Sequence, residues 1–118
     1  MRTTACEMLC AMALVVIAGV LVAPRARADE VAYLVNVTVR PGYHFADAED
    51  ALGYGRGICD KIAHDRPYGL LISDLKADFA TADDYQASYL ITQAANELCP
   101  SKIWQLRRSA ADHQDPTS

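Results

Sequence analysis

Hydrophobic and polar positions break this chain into a uniform apolar start followed by stretches of helical spacing. Residues 11–23 (AMALVVIAGVLVA) are apolar throughout. Arg2 precedes them, and Pro24-Arg25-Ala26-Arg27-Ala28 and then Asp29-Glu30 follow. A charged start, an apolar run and a small-x-small ending describe a secretory signal peptide. Ala26 and Ala28 are small enough for a signal peptidase, so cleavage is expected between Ala28 and Asp29. The alternative is a retained membrane anchor, and Glu7, which offsets Arg2, keeps it open. Spanning a bilayer takes about 20 apolar residues, more than this run supplies even with Leu9 and Cys10. A lipid-modified cysteine would follow such a run, whereas Cys10 precedes it.

Beyond the start, residues 31–39 (VAYLVNVTV) place Val31, Tyr33, Val35, Val37 and Val39 on one side, a strand pattern. Val31, Leu34, Val35 and Thr38 also form a helical stripe. No second strand run follows for pairing, which tips the expectation toward helix. Arg40-Pro41-Gly42 ends either element. Residues 47–63 are clearer: Ala48, Ala51, Leu52, Gly55, Ile58, Cys59 and Ile62 recur at helical steps, with Asp47 as N-cap and Glu49 and Asp50 in the first turn. Gly53, Gly55 and Gly57 each cost about 1 kcal/mol of helix propensity, which predicts close packing against another helix there.

Pro67 suits a first turn, with Asp65 as candidate cap and Tyr68, Leu71, Ile72, Leu75 and Phe79 as the buried stripe. Thr81-Ala82-Asp83-Asp84 opens a helix over residues 83–99, with Ala87, Leu90, Ile91, Ala94, Ala95 and Leu98 on one face. Pro100 stops it. Ile103, Trp104 and Leu106 then precede a polar tail to Ser118. The expected fold is all-α, a small bundle of about four short helices. The expected divisions are a signal over residues 1–28, a helical domain over 29–100 and a tail over 101–118.

Composition narrows the function. The 118 residues carry 11 Lys+Arg against 15 Asp+Glu, net −4, with 52% hydrophobic and 22% charged residues. That balance fits one folded domain and excludes a large multidomain enzyme. Loss of residues 1–28 removes Arg2, Arg25, Arg27 and Glu7, leaving eight basic and fourteen acidic residues, net −6. Such acidity disfavours nucleic acid and anionic lipid as partners. With no second run of spanning length, the chain is expected to be free of the membrane after cleavage.

Cys6 and Cys10 leave with the signal, and Cys59 and Cys99 remain. An even pair in a short exported chain reads as a disulfide. A zinc or redox site is the competing reading, but zinc needs three or four ligands in local pairs, and only His64 is near Cys59. Both cysteines fall on or beside an apolar helix face, where a bridge could clamp two helices.

Candidate chemistry is sparse. Gly53-Tyr54-Gly55-Arg56-Gly57 resembles a phosphate cradle only superficially, since it lies in a helical pattern without a following Lys-Ser/Thr. His44, His64 and Asp65 could act as ligands or a base, but His44 in a loop and His64 at a helix end are explained more simply by capping and surface roles. Asp74, Asp78, Asp83 and Asp84 lack calcium-loop spacing. Tyr33, Tyr43, Tyr54, Tyr68, Tyr85 and Tyr89 outnumber the other aromatics and suit a core rim or an interface. No catalytic residue, cofactor or metal is expected.

Gly42, Tyr43 and Phe45, then Gly55-Arg56-Gly57-Ile58-Cys59, Leu71 and Leu75, Gln86-Ala87, Ala94-Ala95 and Leu98-Cys99-Pro100 form a recurring layout. It resembles the secreted domain of unknown function 732 of actinobacteria, chiefly mycobacteria, over residues 31–100. The resemblance implies about four short helices closed by a Cys59–Cys99 bridge, in the envelope or outside the cell, with no assigned reaction. The chain departs from it in the β-like residues 35–39 and in the 18 residues after Pro100, which members often lack. The expected role is a non-catalytic binding module for a protein or envelope component. The alternative is a small-ligand carrier or enzyme with an inter-helix cavity, using His44 or His64.

Overall fold

The structure is a computed structural model that describes residues 24–114. The apolar run, Cys6, Cys10 and most of the expected signal segment lie outside the described residues. Among the described residues five α-helices follow one another: α1 (Pro24–Thr38), α2 (Ala48–Ala63), α3 (Tyr68–Asp78), α4 (Asp84–Leu98) and α5 (Ile103–Gln114), with a 3-10 turn at Pro100–Lys102. The fold is all-α, and a disulfide joins Cys59 to Cys99. The helix beyond the four expected comes from the polar tail.

α1 settles the ambiguity of residues 31–39 in favour of helix. Tyr33 and Val37 are buried, whereas Val31, Val35 and Val39 are exposed. A strand would have placed all five on one face. In a helix a step of two residues turns the side chain by about 200°, so the same alternation separates into an inner pair and an outer trio. The helix starts at Pro24, so the Ala28–Asp29 bond lies inside it.

α4 is the central element and touches the other four helices. Leu90 and Ile91 are fully buried on it, with Ala87, Ala94 and Ala95 beside them. The two large side chains each contribute about 1.5–3 kcal/mol by burial, and the alanines let neighbouring helices approach. Across from them lie Ala51, Ile58 and Ile62 of α2 and Leu71, Ile72 and Leu75 of α3. Buried tyrosine hydroxyls end on main-chain acceptors: Tyr33 donates to the Ala51 carbonyl at 2.9 Å, and Tyr43 donates to that of Gln86 at 2.6 Å. Burial raises both phenol pKa values, that of Tyr43 to about 12.

Local chemistry sets the helix ends. Asp47 accepts from the Asp50 N–H at 2.8 Å, and Asp50 accepts from Ala46 N–H at 3.1 Å, so two donors are satisfied reciprocally. Asp83 caps α4 by accepting from Tyr85 N–H, while Thr81 accepts from Asp83 N–H. Asp65 is not the cap of α3 that its position suggested. It adopts φ 61° just beyond α2, where Arg66 N–H reaches back to the Lys61 carbonyl and closes that helix. Gly42, at φ 109°, turns the chain after α1 in a conformation open chiefly to glycine.

Close approach is found at one of the three α2 glycines. A Cβ on Gly55 would lie 2.7 Å from the Tyr33 ring and 2.6 Å from Leu98 Cδ1, whereas Gly53 and Gly57 have nothing within 4 Å. The expectation of tight packing across residues 53–57 therefore narrows to Gly55.

Candidate functional site

The bridge is the first feature of interest. Cys59 lies about three turns into α2 and Cys99 terminates α4, with Cα atoms 6.0 Å apart. Both are half-buried. The bond fixes the end of α4 to the C-terminal part of α2 immediately before the chain turns into α5. It therefore positions everything after Pro100.

α5 packs on α3 and leaves an open groove of about 740 Å³ beside it. Ile62, Pro67, Leu70 and Leu106 form its apolar part, and Arg66, Arg108, Ser109 and His113 contribute polar groups. Ser109 accepts from the Tyr68 main-chain N–H at 2.5 Å, satisfying a first-turn donor that α3 cannot cap itself, because Pro67 offers no side-chain acceptor. The His113 ring stands edge-on to Tyr68, with centroids 5.7 Å apart. Gln105 donates to Asp65, binding α5 to the loop before α3. None of these α5 residues was singled out from the sequence. Their available signal was the helical spacing of Ile103, Leu106 and Ala110, all half-buried.

Asp74 anchors the opposite side of the same loop. It accepts from Arg66 Nε at 2.6 Å and Nη2 at 2.8 Å and from Lys61 Nζ at 3.1 Å. The Arg66 hydrogen bonds, and then Lys61, hold its carboxyl below the ordinary range. The other acidic candidates are separately employed. Asp78 accepts from the Tyr54 hydroxyl at 2.7 Å, Asp83 caps α4, and Asp84 pairs with Lys76 at 2.7 Å. They do not converge.

The histidines singled out from the sequence are both exposed. His44 sits at φ 53° in the α1–α2 loop, and His64 caps α2 with Nδ1 2.7 Å from the Asp60 carbonyl oxygen. Neither lines the α3–α5 groove. Among the described residues, no group of three or more His, Cys, Asp and Glu is placed to hold a metal, and no helix is long and apolar enough to cross a membrane.

Tyr33 and Tyr43 belong to the core, and Tyr54, Tyr68 and Tyr89 to its half-buried rim. Tyr43, Phe45, Tyr54 and Phe79 cluster with ring centroids 5.0–6.1 Å apart. Only Tyr85 is exposed, at 62%. The Arg40 guanidinium lies 3.8 Å from the Tyr89 ring centroid and 5.1 Å from that of Tyr85, so Arg40 holds the exposed ring in place.

Comparison with known proteins matches the chain to a family. The family described as Protein of unknown function (DUF732) matches residues 28–101. That segment takes in the bridge and α2 to α4 entire, and stops before α5. No curated protein and no solved structure matches. With well over half of its length matched, the chain belongs to the DUF732 family of proteins of unknown function.

Proposed function

We propose that the protein is exported and acts, without catalysis, as a small disulfide-stapled binding module in the cell envelope or outside the cell. The signal-like first 28 residues support export, and a bridged cysteine pair suits an oxidising destination. Cleavage between Ala28 and Asp29 would leave residues 29–38 of α1. Asp29 and Glu30 would then fall in its first turn, where carboxylates suit the helix dipole. Glu30 also accepts from Arg56 of α2, so the shortened helix keeps that tie.

The observation that carries the binding role is the groove between α3 and α5. It is concave, open and of mixed polarity, as recognition sites are. The Ser109 hydroxyl, which lines it, is employed in holding the start of α3. Leu70 is 47% exposed and offers the groove an apolar contact. Immobilised protein challenged with culture-filtrate and envelope extracts should retain a specific partner at constant stoichiometry, and Leu70→Glu should weaken retention at least tenfold with the helical content unchanged. Equal retention by the variant, or no specific partner, would refute the binding role of the groove.

The groove's volume also suits a small-ligand carrier, since such sites fall in the range of about 300–1,000 Å³. In that case a small molecule should accompany the protein in native mass spectra and be lost from Leu70→Glu, without any partner protein. The residues at work would be those of α3 and α5, and not His44 or His64.

A further inference from the structure

Charge is distributed unevenly along the folded chain. Residues 29–101 contain five basic side chains (Arg40, Arg56, Lys61, Arg66 and Lys76) against twelve Asp and Glu, net −7. Residues 102–114 contain Lys102, Arg107 and Arg108 against Asp112, net +2. All five cations of the first group are engaged. Arg56 pairs with Glu30, Lys61 and Arg66 with Asp74, and Lys76 with Asp84. Arg40 rests on Tyr85 and Tyr89. Lys102 and Arg108, by contrast, pair with no carboxylate among the described residues.

The same segment carries the most exposed large apolar side chain of the described residues. Trp104 is 73% exposed and is the single tryptophan of the chain. The Arg107 guanidinium lies 5.6 Å from its ring centroid. At 3.6 residues per turn, Trp104, Arg107, Arg108 and Ala111 share one side of α5, opposite Leu106 and His113. Trp104 stands outside the α3–α5 groove, whose lining Arg108 reaches from the same side of the helix. An indole flanked by guanidinium groups suits the headgroup layer of a bilayer. The ring partitions between apolar and wet environments there, and the cations meet anionic lipid. The acidic remainder of the molecule is repelled from such a surface, which orients the basic edge toward it and keeps contact local, within a screening length of about 8 Å at physiological salt.

We infer that the Trp104–Arg107–Arg108 face of α5 docks on an anionic phospholipid surface, lying on the bilayer without spanning it. The inference rests on the export reading only for its biological setting, and its test needs neither export nor a partner. It also limits the expectation, drawn from net charge alone, that anionic lipid is avoided. The valine trio of α1 carries no comparable case, because the described cation next to it, Arg40, is held on Tyr85 and Tyr89.

The test uses the full chain and the emission of its single tryptophan. Vesicles of phosphatidylglycerol and phosphatidylcholine in equal parts should shift Trp104 emission to the blue, phosphatidylcholine alone should not, and high salt should reverse the shift. Arg107→Gln with Arg108→Gln should weaken apparent binding to the anionic vesicles roughly 30-fold, from about a fivefold loss per cation removed near a charged surface. An equal shift on both vesicle types, or equal binding by the double variant, would overturn the inference. So would a shift with soluble polyglutamate and none with anionic vesicles, since the face would then serve an acidic protein. A null result with vesicles leaves the groove's partner capture untouched, and failure of that capture leaves the vesicle result standing.

Discussion

Replacing Cys59 and Cys99 together by alanine is expected to lower the unfolding free energy by about 4 kcal/mol, the chain-entropy value for a loop of this span. The cysteines stand 40 residues apart, and the loop they close contains α3 and all of α4. A single small domain is stabilised by only about 5–15 kcal/mol in total, so the loss approaches half of a modest total. The bridge also fixes the point where the chain leaves α4, so α5 should loosen first. Denaturant unfolding of oxidised wild type, reduced wild type and the double variant measures this. The reduced protein and the variant should unfold at similar, much lower midpoints. A variant within about 1 kcal/mol of the oxidised protein would mean that helix packing alone holds the bundle.

Gly55→Val is expected to cost about 3 kcal/mol, at the upper end of what overpacking a filled core brings. Even the first added carbon would lie well inside van der Waals contact with the Tyr33 ring. Tyr33 cannot swing clear: it is fully buried, and its hydroxyl is bound to the Ala51 carbonyl. α1 would have to move off α2. Gly53→Ala and Gly57→Ala should do the reverse and stabilise by up to about 1 kcal/mol each, because both positions open onto free space and alanine is the better helix former. Thermal unfolding of the three variants decides the matter by sign. A destabilised Gly53→Ala or a neutral Gly55→Val would place the α1–α2 contact elsewhere.

Those opposite signs show what was legible in the sequence. Gly55 falls in phase with Ala51, Ile58 and Ile62, whereas Gly53 and Gly57 do not, so helical phase distinguishes them before any coordinates are known. The caps at Asp47 and Asp83 and the α4 face were readable for the same reason, because each depends on residues within a turn or two. Residues 31–39 read ambiguously, with only the lack of a partner strand tipping them toward helix, because a period of two is compatible with a helix that is buried on one side and bare on the other. Asp65 looked like a cap because it precedes Pro67, but the closing turn of α2 claims it first.

The groove was not legible. Ser109 acts on Tyr68 across 41 residues, and α5 reads locally as a polar tail with few apolar positions. Tertiary contact gives those side chains their roles, and no local pattern encodes it. The tyrosine excess resolved the other way. It pointed to a core rim or an interface, and the structure spends five of the six on core and rim, leaving Tyr85 outside.

The central claim is a bridged helical domain acting beyond the reducing cytoplasm, and intact mass of the protein recovered from outside the cell tests it most directly. The account predicts a chain beginning at Asp29 that gains two hydrogens on reduction, with no thiol available for alkylation beforehand. A mass that retains residues 1–28, or free thiols at Cys59 and Cys99 before reduction, would contradict it.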